Sequence, residues 1–273
     1  MSSLPSPSSP PRVAFAGDRD VAVAVLDCLR ADDVAPVALL LPSRARASHD
    51  AELEALCPDL PPEAVIRGPD AARAPATADR LRALDLDFLL SVHYPYLLPE
   101  PLLALPRCAA LNLHPAYLPY NRGWHTPSWA LLDDTPIGAS LHVMTPEVDA
   151  GPIVCRERLT VRSEDTAHRL YQRLRALEVA IFDATWPALR AGEATLTTPS
   201  ADGTLHAKDD LHTPAVQRID PESRVRAGTL LRRLRALTTN RLDEAAYVEQ
   251  DGTRYRIQVS ITPEPAPPAA PDS

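Results

Sequence analysis

Apolar and polar positions alternate along the chain in a pattern that predicts short strands separated by helices. Strand-like apolar runs occur at 12–17, 36–41, 63–68, 86–92 and 108–114. Between them, apolar residues recur at helical spacing over 18–31, 48–57 and 76–85. Strands and helices that alternate in this way imply right-handed β-α-β units. The pattern therefore predicts an α/β protein with a Rossmann-like, mostly parallel sheet.

The second half of the chain continues the sheet and then changes character. A helix is predicted near 126–134, strands at 137–144 and 152–161, and a long amphipathic helix that Gly192 closes. Beyond Gly192, a polar stretch leads to a basic amphipathic helix and to a hairpin turned at Asp251-Gly252. We therefore predict a large domain over 12–192 and a small C-terminal α+β unit over 193–262. The flanking segments 1–11 and 263–273 are rich in proline and serine or alanine and predict a disordered lead-in and tail.

Composition narrows the class of protein. The chain has 273 residues, 45% of them hydrophobic, and a formal net charge of −8. An acidic balance argues against a polynucleotide-binding protein, and no apolar run approaches the length that spans a bilayer. The N-terminus has no apolar core of a signal peptide. These features predict a cytoplasmic protein without a membrane or nucleic-acid partner.

The cysteines agree with a reducing compartment. They lie far apart in apolar settings, with no C-x-x-C pair, at Cys28, Cys57, Cys108 and Cys155. Buried free thiols are the interpretation that this spacing favours, and one disulfide pair is the alternative.

Common cofactor and metal motifs are missing from the sequence. The first strand-to-helix turn holds only Gly17, so the dinucleotide fingerprint fails, and Asp18 is interpreted as the N-cap of the next helix. A Walker loop is absent as well. The histidines show no metal-binding spacing, so no metal is predicted. Four of them are interpreted as surface or capping residues, namely His49, His168, His206 and His212.

The stretch "LNLHP" places two polar side chains at the end of an apolar strand. Residues i and i+2 of a strand face the same side, so Asn112 and His114 project together at the carboxyl end of a parallel strand, where α/β sheets bind ligands. An imidazole can carry a proton at neutral pH, and an amide can donate to a developing oxyanion. Asp149 is a candidate third group that orients the histidine. The alternatives are that the pair satisfies loop backbone and that Asp149 only forms a turn before Gly151.

At these residues the chain resembles a known family. "LNLHPAYLPYNRG" followed by "VDAGPIV" is similar to the signature of the 10-formyltetrahydrofolate-dependent formyltransferases. The opening "AFAGDRDVAV" and the C-terminal "AAYVEQDGTRYRIQV" most resemble the branch that acts on nucleotide-linked amino sugars. The resemblance implies the formyltransferase fold, a catalytic domain over 12–192, and catalytic roles for Asn112, His114 and Asp149. It also implies that Asp149 raises the pKa of His114 and holds its tautomer.

The resemblance further implies a folate co-substrate and a homodimer. The formyl donor would be 10-formyltetrahydrofolate, and no metal is implied. The pterin is expected against two segments, largely through their backbone, and these comprise His93, Tyr94, Pro95, Tyr96, Leu97, Thr145, Pro146, Glu147, Val148 and Asp149.

The acceptor is predicted to be a primary amine, namely that of a nucleotide-linked amino sugar. Residues expected to bind it are Tyr120, Arg122, Trp124 and Lys208, because aromatic faces stack on planar bases and cations pair with phosphate. Loop packing or pairing with nearby carboxylates is the alternative for these side chains. Rival functions are formylation of another small amine, methionyl-tRNA formylation, hydrolysis of the folate, and non-enzymatic folate binding.

Overall fold

Short strands and helices alternate through residues 13–191 of the structure, a computed structural model that describes residues 2–200 and 203–264. The strands are β1 (Ser2–Ser3), β2 (Val13–Gly17), β3 (Ala38–Leu41), β4 (Val65–Arg67), β5 (Phe88–Val92), β6 (Ala109–His114), β7 (Arg122–Gly123), β8 (Gly138–Val143), β9 (Ile153–Arg158), β10 (Thr195–Leu196), β11 (Leu205–His206), β12 (Ala246–Gln250) and β13 (Thr253–Ile257). The helices are α1 (Arg19–Ala31), α2 (Asp50–Ala55), α3 (Gly68–Arg73), α4 (Pro75–Arg82), α5 (Glu100–Leu103), α6 (Thr126–Leu132), α7 (Ala167–Ala191), α8 (Pro214–Gln217) and α9 (Ala227–Ala236). Single 3-10 turns occur at Pro62–Ala64, Asp210–His212 and Leu242–Glu244.

Seven strands form the central sheet in the order β4-β3-β2-β5-β6-β8-β9. The first five of these run parallel, and β8 and β9 continue the sheet antiparallel. This topology confirms the predicted α/β class with a mostly parallel, Rossmann-like sheet. Strand order steps out from β2 in both directions, as the crossover rule for β-α-β units requires.

Helices cover the two faces of this sheet. Side chains of α1, α2 and α7 pack on one face, and those of α3, α4 and α5 pack on the other. On the first face, the Trp186 ring lies 5.8 Å from Phe88 and 5.7 Å from Phe182, centre to centre. Such buried aromatic contacts fix α7 on the sheet. The helix begins at the N-cap Thr166, whose hydroxyl accepts the Arg169 N–H, and it ends at Gly192 with a φ of 69°.

Two short helices were not predicted from the hydrophobic pattern. Both α3 and α5 have proline in the first turn, at Pro69 and Pro101, and both are too short to show a helical period. Asp18 occupies the N-cap position of α1, as predicted, but its side chain makes no capping hydrogen bond to that helix. It accepts hydrogen bonds from the backbone N–H groups of Ser48 and His49, at 2.9 and 3.2 Å, and so ties the loop before α2 to the end of β2.

The lead-in corrects a prediction, because residues 2–11 are bound to the domain and are not disordered. β1 pairs antiparallel with β10, and Leu4 lies in the main core with 9% exposure. The Ser8 N–H and hydroxyl both donate to the buried carboxylate of Asp87. Backbone pairing and extended proline-rich chain need no hydrophobic period, so composition alone did not reveal these contacts.

The C-terminal residues form a small unit against α6. The hairpin β12–β13 turns at Asp251-Gly252, where both residues have positive φ, as predicted. Leu237 and Ala246 pack with Trp129 of α6 in one buried cluster. The division between 192 and 193 stays a prediction. Most of the predicted tail, 265–273, lies outside the described residues.

Two further features bear on the composition of the chain. Within the described ranges, no helix is both long enough and apolar enough to cross a membrane. The four cysteines are free thiols, buried at Cys57 and Cys108 and half-buried at Cys28 and Cys155.

Replacing Leu4 by alanine tests whether the lead-in belongs to the core. We expect Leu4→Ala to lower the free energy of unfolding by about 2 kcal/mol, because the buried side chain leaves a cavity. Ser3→Ala, at an exposed neighbouring position, should change it by less than about 0.5 kcal/mol. Urea denaturation measures both values. Equal stability of the two variants would contradict the packing of Leu4.

Candidate active site

The polar side chains at the end of β6 face the same side of the sheet. Asn112 and His114 follow Ala110 on the face that carries α3, α4 and α5, and Ser91 of β5 pairs with Asn112 on this face. β8 runs antiparallel beside β6, so that Asn112 pairs with His142 and His114 with Ser140. Directly opposed residues of neighbouring strands point to one face, which concentrates these polar groups there. The helices α3, α4 and α5 cover the apolar part of this face, and the polar groups lie beyond that part, at the end of β6.

The carboxylate of Asp149 joins these groups. Its Oδ2 atom lies 3.5 Å from His114 Nε2, and its Oδ1 atom lies 3.4 Å from His142 Nε2. The Asn112 amide also donates to Oδ1, over 3.4 Å. The structure therefore brings together the three residues that were predicted as catalytic. Their roles remain a prediction, since the geometry describes proximity only.

The loop after β6 supplies the shortest contact to this carboxylate. The Gly123 N–H donates to Asp149 Oδ2 at 2.9 Å. Gly123 has a φ of 90°, and a Cβ atom there would collide with the backbone carbonyl of His206. Only glycine fits this position, because β7 runs beside β11 at this point. The "NRG" turn thus places a backbone donor on the acidic residue.

His142 is a member of the site that sequence spacing did not reveal. Its side chain is 1% exposed and lies 3.3 Å from Asn112, measured from Nε2 to Nδ2. Its Nδ1–H donates to the Val143 carbonyl at 3.1 Å. In the neutral ring Nε2 can therefore accept from the Asn112 amide, and in the charged ring it can donate to Asp149. The one signal in the sequence was the presence of a histidine within the apolar strand "IGASLHVM". The sequence does not show how this strand is aligned with β6.

Burial and charge act in opposite directions on the two titrating groups. Burial lowers the pKa of His114, and the neighbouring Asp149 carboxylate offsets only part of that effect. The charge of Asp149 raises the pKa of His114, as the resemblance implies. Burial lowers the same pKa by more, so that the net shift is downward. Burial would raise the pKa of Asp149, but the charges of His114 and His142 and the hydrogen bonds from His142 and Gly123 bring it well below its usual range. The site thus favours an ionised Asp149 beside a neutral His114 at neutral pH.

The Nε2 atom of His114 is a buried ring nitrogen of the site. This atom is buried and has no hydrogen-bond partner within the described part of the chain. Its distance of 3.5 Å from Asp149 Oδ2 exceeds that of an ordinary hydrogen bond. A buried, unpaired polar atom costs free energy, and such atoms persist in proteins where function requires them.

The two segments expected to hold the pterin show different environments. The His93 ring binds the fully buried Glu178 carboxylate through Nε2, at 2.9 Å. The backbone of His93 has a φ of 53°. The Tyr94 hydroxyl is buried without a hydrogen-bond partner among the described residues, and burial raises its pKa. Tyr94 and Met144 pack on the same core cluster, which places the starts of both segments on one side of the sheet. The other predicted residues are half-buried or exposed, namely Pro95, Tyr96, Leu97, Thr145, Pro146, Glu147 and Val148.

The residues predicted to bind the acceptor separate into two groups. Lys208 Nζ lies 5.5 Å from the centre of the Trp124 ring, and both side chains are exposed. Arg122 instead donates to Glu147 at 2.8 Å, as the alternative interpretation anticipated. Tyr120 is half-buried in the same loop, and Tyr117 lies under the Arg156 guanidinium, which favours loop packing for that residue. Trp124 and Lys208 are therefore the pair available to a ligand.

Comparison with known families decides what kind of protein carries this site. Residues 12–185 match the family described as Formyl transferase. The chain belongs to the formyl transferase family. Residues 213–263 of this formyl transferase match the N-formyltransferase dimerization C-terminal domain, which confirms the predicted homodimer. The resemblance seen in the sequence is confirmed with it, and the protein is a formyltransferase.

Two relatives of this formyl transferase bear the names of different activities. A dTDP-4-amino-4,6-dideoxyglucose formyltransferase of Mycobacterium tuberculosis is 32% identical over 178 residues, which cover 65% of this chain and 74% of the relative. A methionyl-tRNA formyltransferase of Myxococcus xanthus is 31% identical over 245 residues, which cover 84% of this chain and 73% of the relative.

Solved structures of sugar formyltransferases share the fold. A 4-N formyltransferase from Francisella tularensis superposes with a TM-score of 0.78 and 20% identity, over 93% of this chain and 99% of that one. WlaRD, a sugar 3N-formyl transferase described with dTDP and 5-N-formyl-THF, superposes with a TM-score of 0.68 and 14% identity, over 89% of this chain and 84% of that one.

A titration by NMR tests the electrostatics of the formyl transferase site. Because burial outweighs Asp149, the His114 imidazole should titrate below the ordinary histidine value of about 6.5. Asp149→Asn removes the larger of the two carboxylate charges that favour the imidazolium, those of Asp149 and Glu178, so it should lower the midpoint further. Loss of the signal in His114→Gln assigns the resonance. A midpoint above 6.5, or an upward shift in Asp149→Asn, would contradict this account.

Proposed function

We propose that this formyltransferase transfers a formyl group from 10-formyltetrahydrofolate to the primary amine of a nucleotide-linked amino sugar, in the cytoplasm. The observation that carries the proposal is the buried, unpaired His114 Nε2, with the Asn112 amide and the ionised Asp149 beside it. A neutral imidazole nitrogen in this setting is a proton acceptor. An amide donor nearby suits a reaction in which negative charge develops on a carbonyl oxygen.

The folate supplies an activated formyl carbon, and the chain supplies proton transfer and charge stabilisation. The acceptor amine attacks as the free base, its nitrogen bonds to the formyl carbon, and the bond from that carbon to folate N10 breaks. His114 takes the proton that the amine loses and returns one to the departing nitrogen. Asn112 donates to the oxygen on which charge develops, and Asp149 fixes the imidazole and stabilises its charged form.

The predicted pterin segments fit a ring with donor and acceptor edges. The Tyr94 hydroxyl is buried without a partner among the described residues, and the segment 145–149 is an irregular loop of half-buried and exposed residues. A flat heterocycle can satisfy such groups through hydrogen bonds to the backbone. The segments 93–97 and 145–149 are therefore the ones that hold the folate in this proposal.

The choice of acceptor rests on Trp124 and Lys208. Lys208 is the only lysine in a chain with 28 lysine and arginine residues. It lies exposed over an exposed indole, the combination that stacks on a nucleotide base and pairs with a diphosphate. A dTDP-linked amino sugar is also named for the relative from M. tuberculosis, and WlaRD is described with dTDP.

Methionyl-tRNA formylation is the competing activity, since a relative with that name covers more of this chain. Transfer RNA requires a basic surface, and the formal net charge of −8 opposes one. The C-terminal residues match an N-formyltransferase dimerization domain, which also favours a small acceptor.

The deciding experiment offers purified enzyme and 10-formyltetrahydrofolate to a panel of acceptors. We expect mass spectrometry to show a gain of one formyl group on a dTDP- or UDP-linked amino sugar. No gain is expected on free amino sugars, amino acids or methionyl-tRNA. Formylation of methionyl-tRNA alone, or of an amine without phosphate alone, would refute the acceptor class while leaving the chemistry intact. If the enzyme releases tetrahydrofolate at the same rate with and without an amine, it is a hydrolase.

Two single substitutions test the chemical roles. We expect Asn112→Ala to lower kcat about 10²- to 10³-fold, as removal of one oxyanion donor does in other enzymes. His114→Asn should lower kcat at least as much, because it removes the proton acceptor. Both variants should keep their affinity for 5-formyltetrahydrofolate, measured by fluorescence quenching. Near wild-type turnover in His114→Asn would refute the proposed mechanism.

The single lysine allows a direct test of the acceptor site. Lys208→Met should raise KM for the nucleotide sugar about tenfold with a smaller change in kcat, because a charge-assisted contact is lost. Lys208→Arg retains the charge and should recover most of the affinity. Reductive methylation of Lys208, followed by peptide mass spectrometry, should slow in the presence of dTDP. Unprotected methylation together with an unchanged KM in Lys208→Met would exclude this residue from the site.

A further inference from the structure

Three potential metal ligands converge where the C-terminal unit meets the catalytic domain. His125 precedes α6, His212 ends one 3-10 turn and Glu244 ends another. One ligand atom from each lies within 4.8 Å of the other two. None of the three has a role in the proposed formyl transfer.

The contacts of these side chains direct their ligand atoms towards one another. His125 Nε2–H donates to the Lys208 carbonyl at 3.1 Å, which directs the unprotonated Nδ1 of the neutral ring towards Glu244 Oε1, 3.7 Å away. Histidines that bind metals commonly donate their second nitrogen to a backbone carbonyl in this way. The Glu244 side chain is 7% exposed, and the half-buried His212 ring lies 5.7 Å from the His125 ring, centre to centre.

We propose that His125, His212 and Glu244 bind a zinc ion that links the C-terminal unit to the catalytic domain. Two imidazoles and a carboxylate form a ligand set that zinc accepts, with the fourth position left for water. Ligand atoms of a tetrahedral zinc site lie about 3.3 Å apart, given zinc-to-ligand distances of about 2.0–2.1 Å. In this structure His125 Nδ1 and Glu244 Oε1 are 3.7 Å apart, and no two ligand atoms are more than 4.8 Å apart. Small rotations of the side chains would shorten these distances to the value for zinc.

The charges around the cluster are compatible with a cation. Arg241 is the competing positive group, with Nε 3.4 Å from Glu244 Oε1. Asp243 already holds this guanidinium through two hydrogen bonds, at 3.1 and 2.6 Å, so Arg241 keeps a partner when Glu244 binds the metal. Asp243 also contributes a further negative charge close to the cluster.

A zinc ion at this position would act on structure. His125 directly follows Trp124 and donates to the carbonyl of Lys208, so the ion would hold both segments that carry the acceptor-side residues. It would also fix the turns at Asp210–His212 and Leu242–Glu244, which support β12.

Metal analysis of the full-length protein tests the site. Chelator-treated wild-type protein is supplied with zinc chloride, separated by gel filtration and analysed by inductively coupled plasma mass spectrometry. We expect one zinc per chain and a higher Tm than in the chelator-treated protein. His212→Asn and Glu244→Gln should each lose both the zinc and the increase in Tm. His168→Asn, which removes a histidine of α7 that is not a member of the cluster, should retain both.

Two controls make the result decisive. Circular dichroism verifies that the variants fold, and Co²⁺ substitution in wild-type protein reports the ligand type even where a variant fails to fold. Visible bands without a near-ultraviolet thiolate band support the nitrogen and oxygen ligands. No bound zinc in the wild type, zinc retained by both variants, or a thiolate band would each overturn the proposal.

Discussion

The buried carboxylate of Asp149 is the constraint on which the rest of the site depends. Its side chain is 12% exposed, and a carboxylate in such a position stays ionised only where hydrogen bonds and positive charge compensate its lost hydration. Those partners come from three separate segments, namely β6, β8 and the loop that contains Gly123. One negative charge therefore sets the relative position of the sheet and two loops. The same charge decides which ring nitrogens carry protons.

Backbone conformation shows where this arrangement is demanding. In residues 2–200 and 203–264, nine non-glycine residues have positive φ, and four of them lie in the segments around the site, at His93, Asn121, His125 and Asp149. Polar residues tolerate the left-handed region better than branched ones do, but each such residue still costs free energy. The surrounding contacts supply compensation. Asn121, for example, is buried, and its N–H donates to the Thr204 hydroxyl at 2.9 Å.

Local patterns accounted for the sheet and for part of the site. The two-residue period of strands was enough to place Asn112 and His114 on one face, and the motif around Gly151 identified Asp149. His142 escaped notice because its position depends on the register between β6 and β8, a long-range property. Glu178 escaped notice for a similar reason, since it reaches His93 from α7 across 85 residues of chain. Leu4 and Ser8 bind through a proline-rich segment whose composition resembles disorder, so only the tertiary contacts reveal them.

In the proposed function, the residues that carry the chemistry are separate from those that select the acceptor. Asn112 and His114 lie on β6, between β5 and β8, where neighbouring strands fix each side chain. Trp124 and Lys208 lie on loops that β7 and β11 join by a short parallel pairing, next to the C-terminal unit. Neighbouring residues of β7 connect the two regions, since Gly123 donates to Asp149 and Arg122 donates to Glu147. A fold built in this way can accept different amines with the same Asn, His and Asp groups, provided that the glycine at this junction is retained.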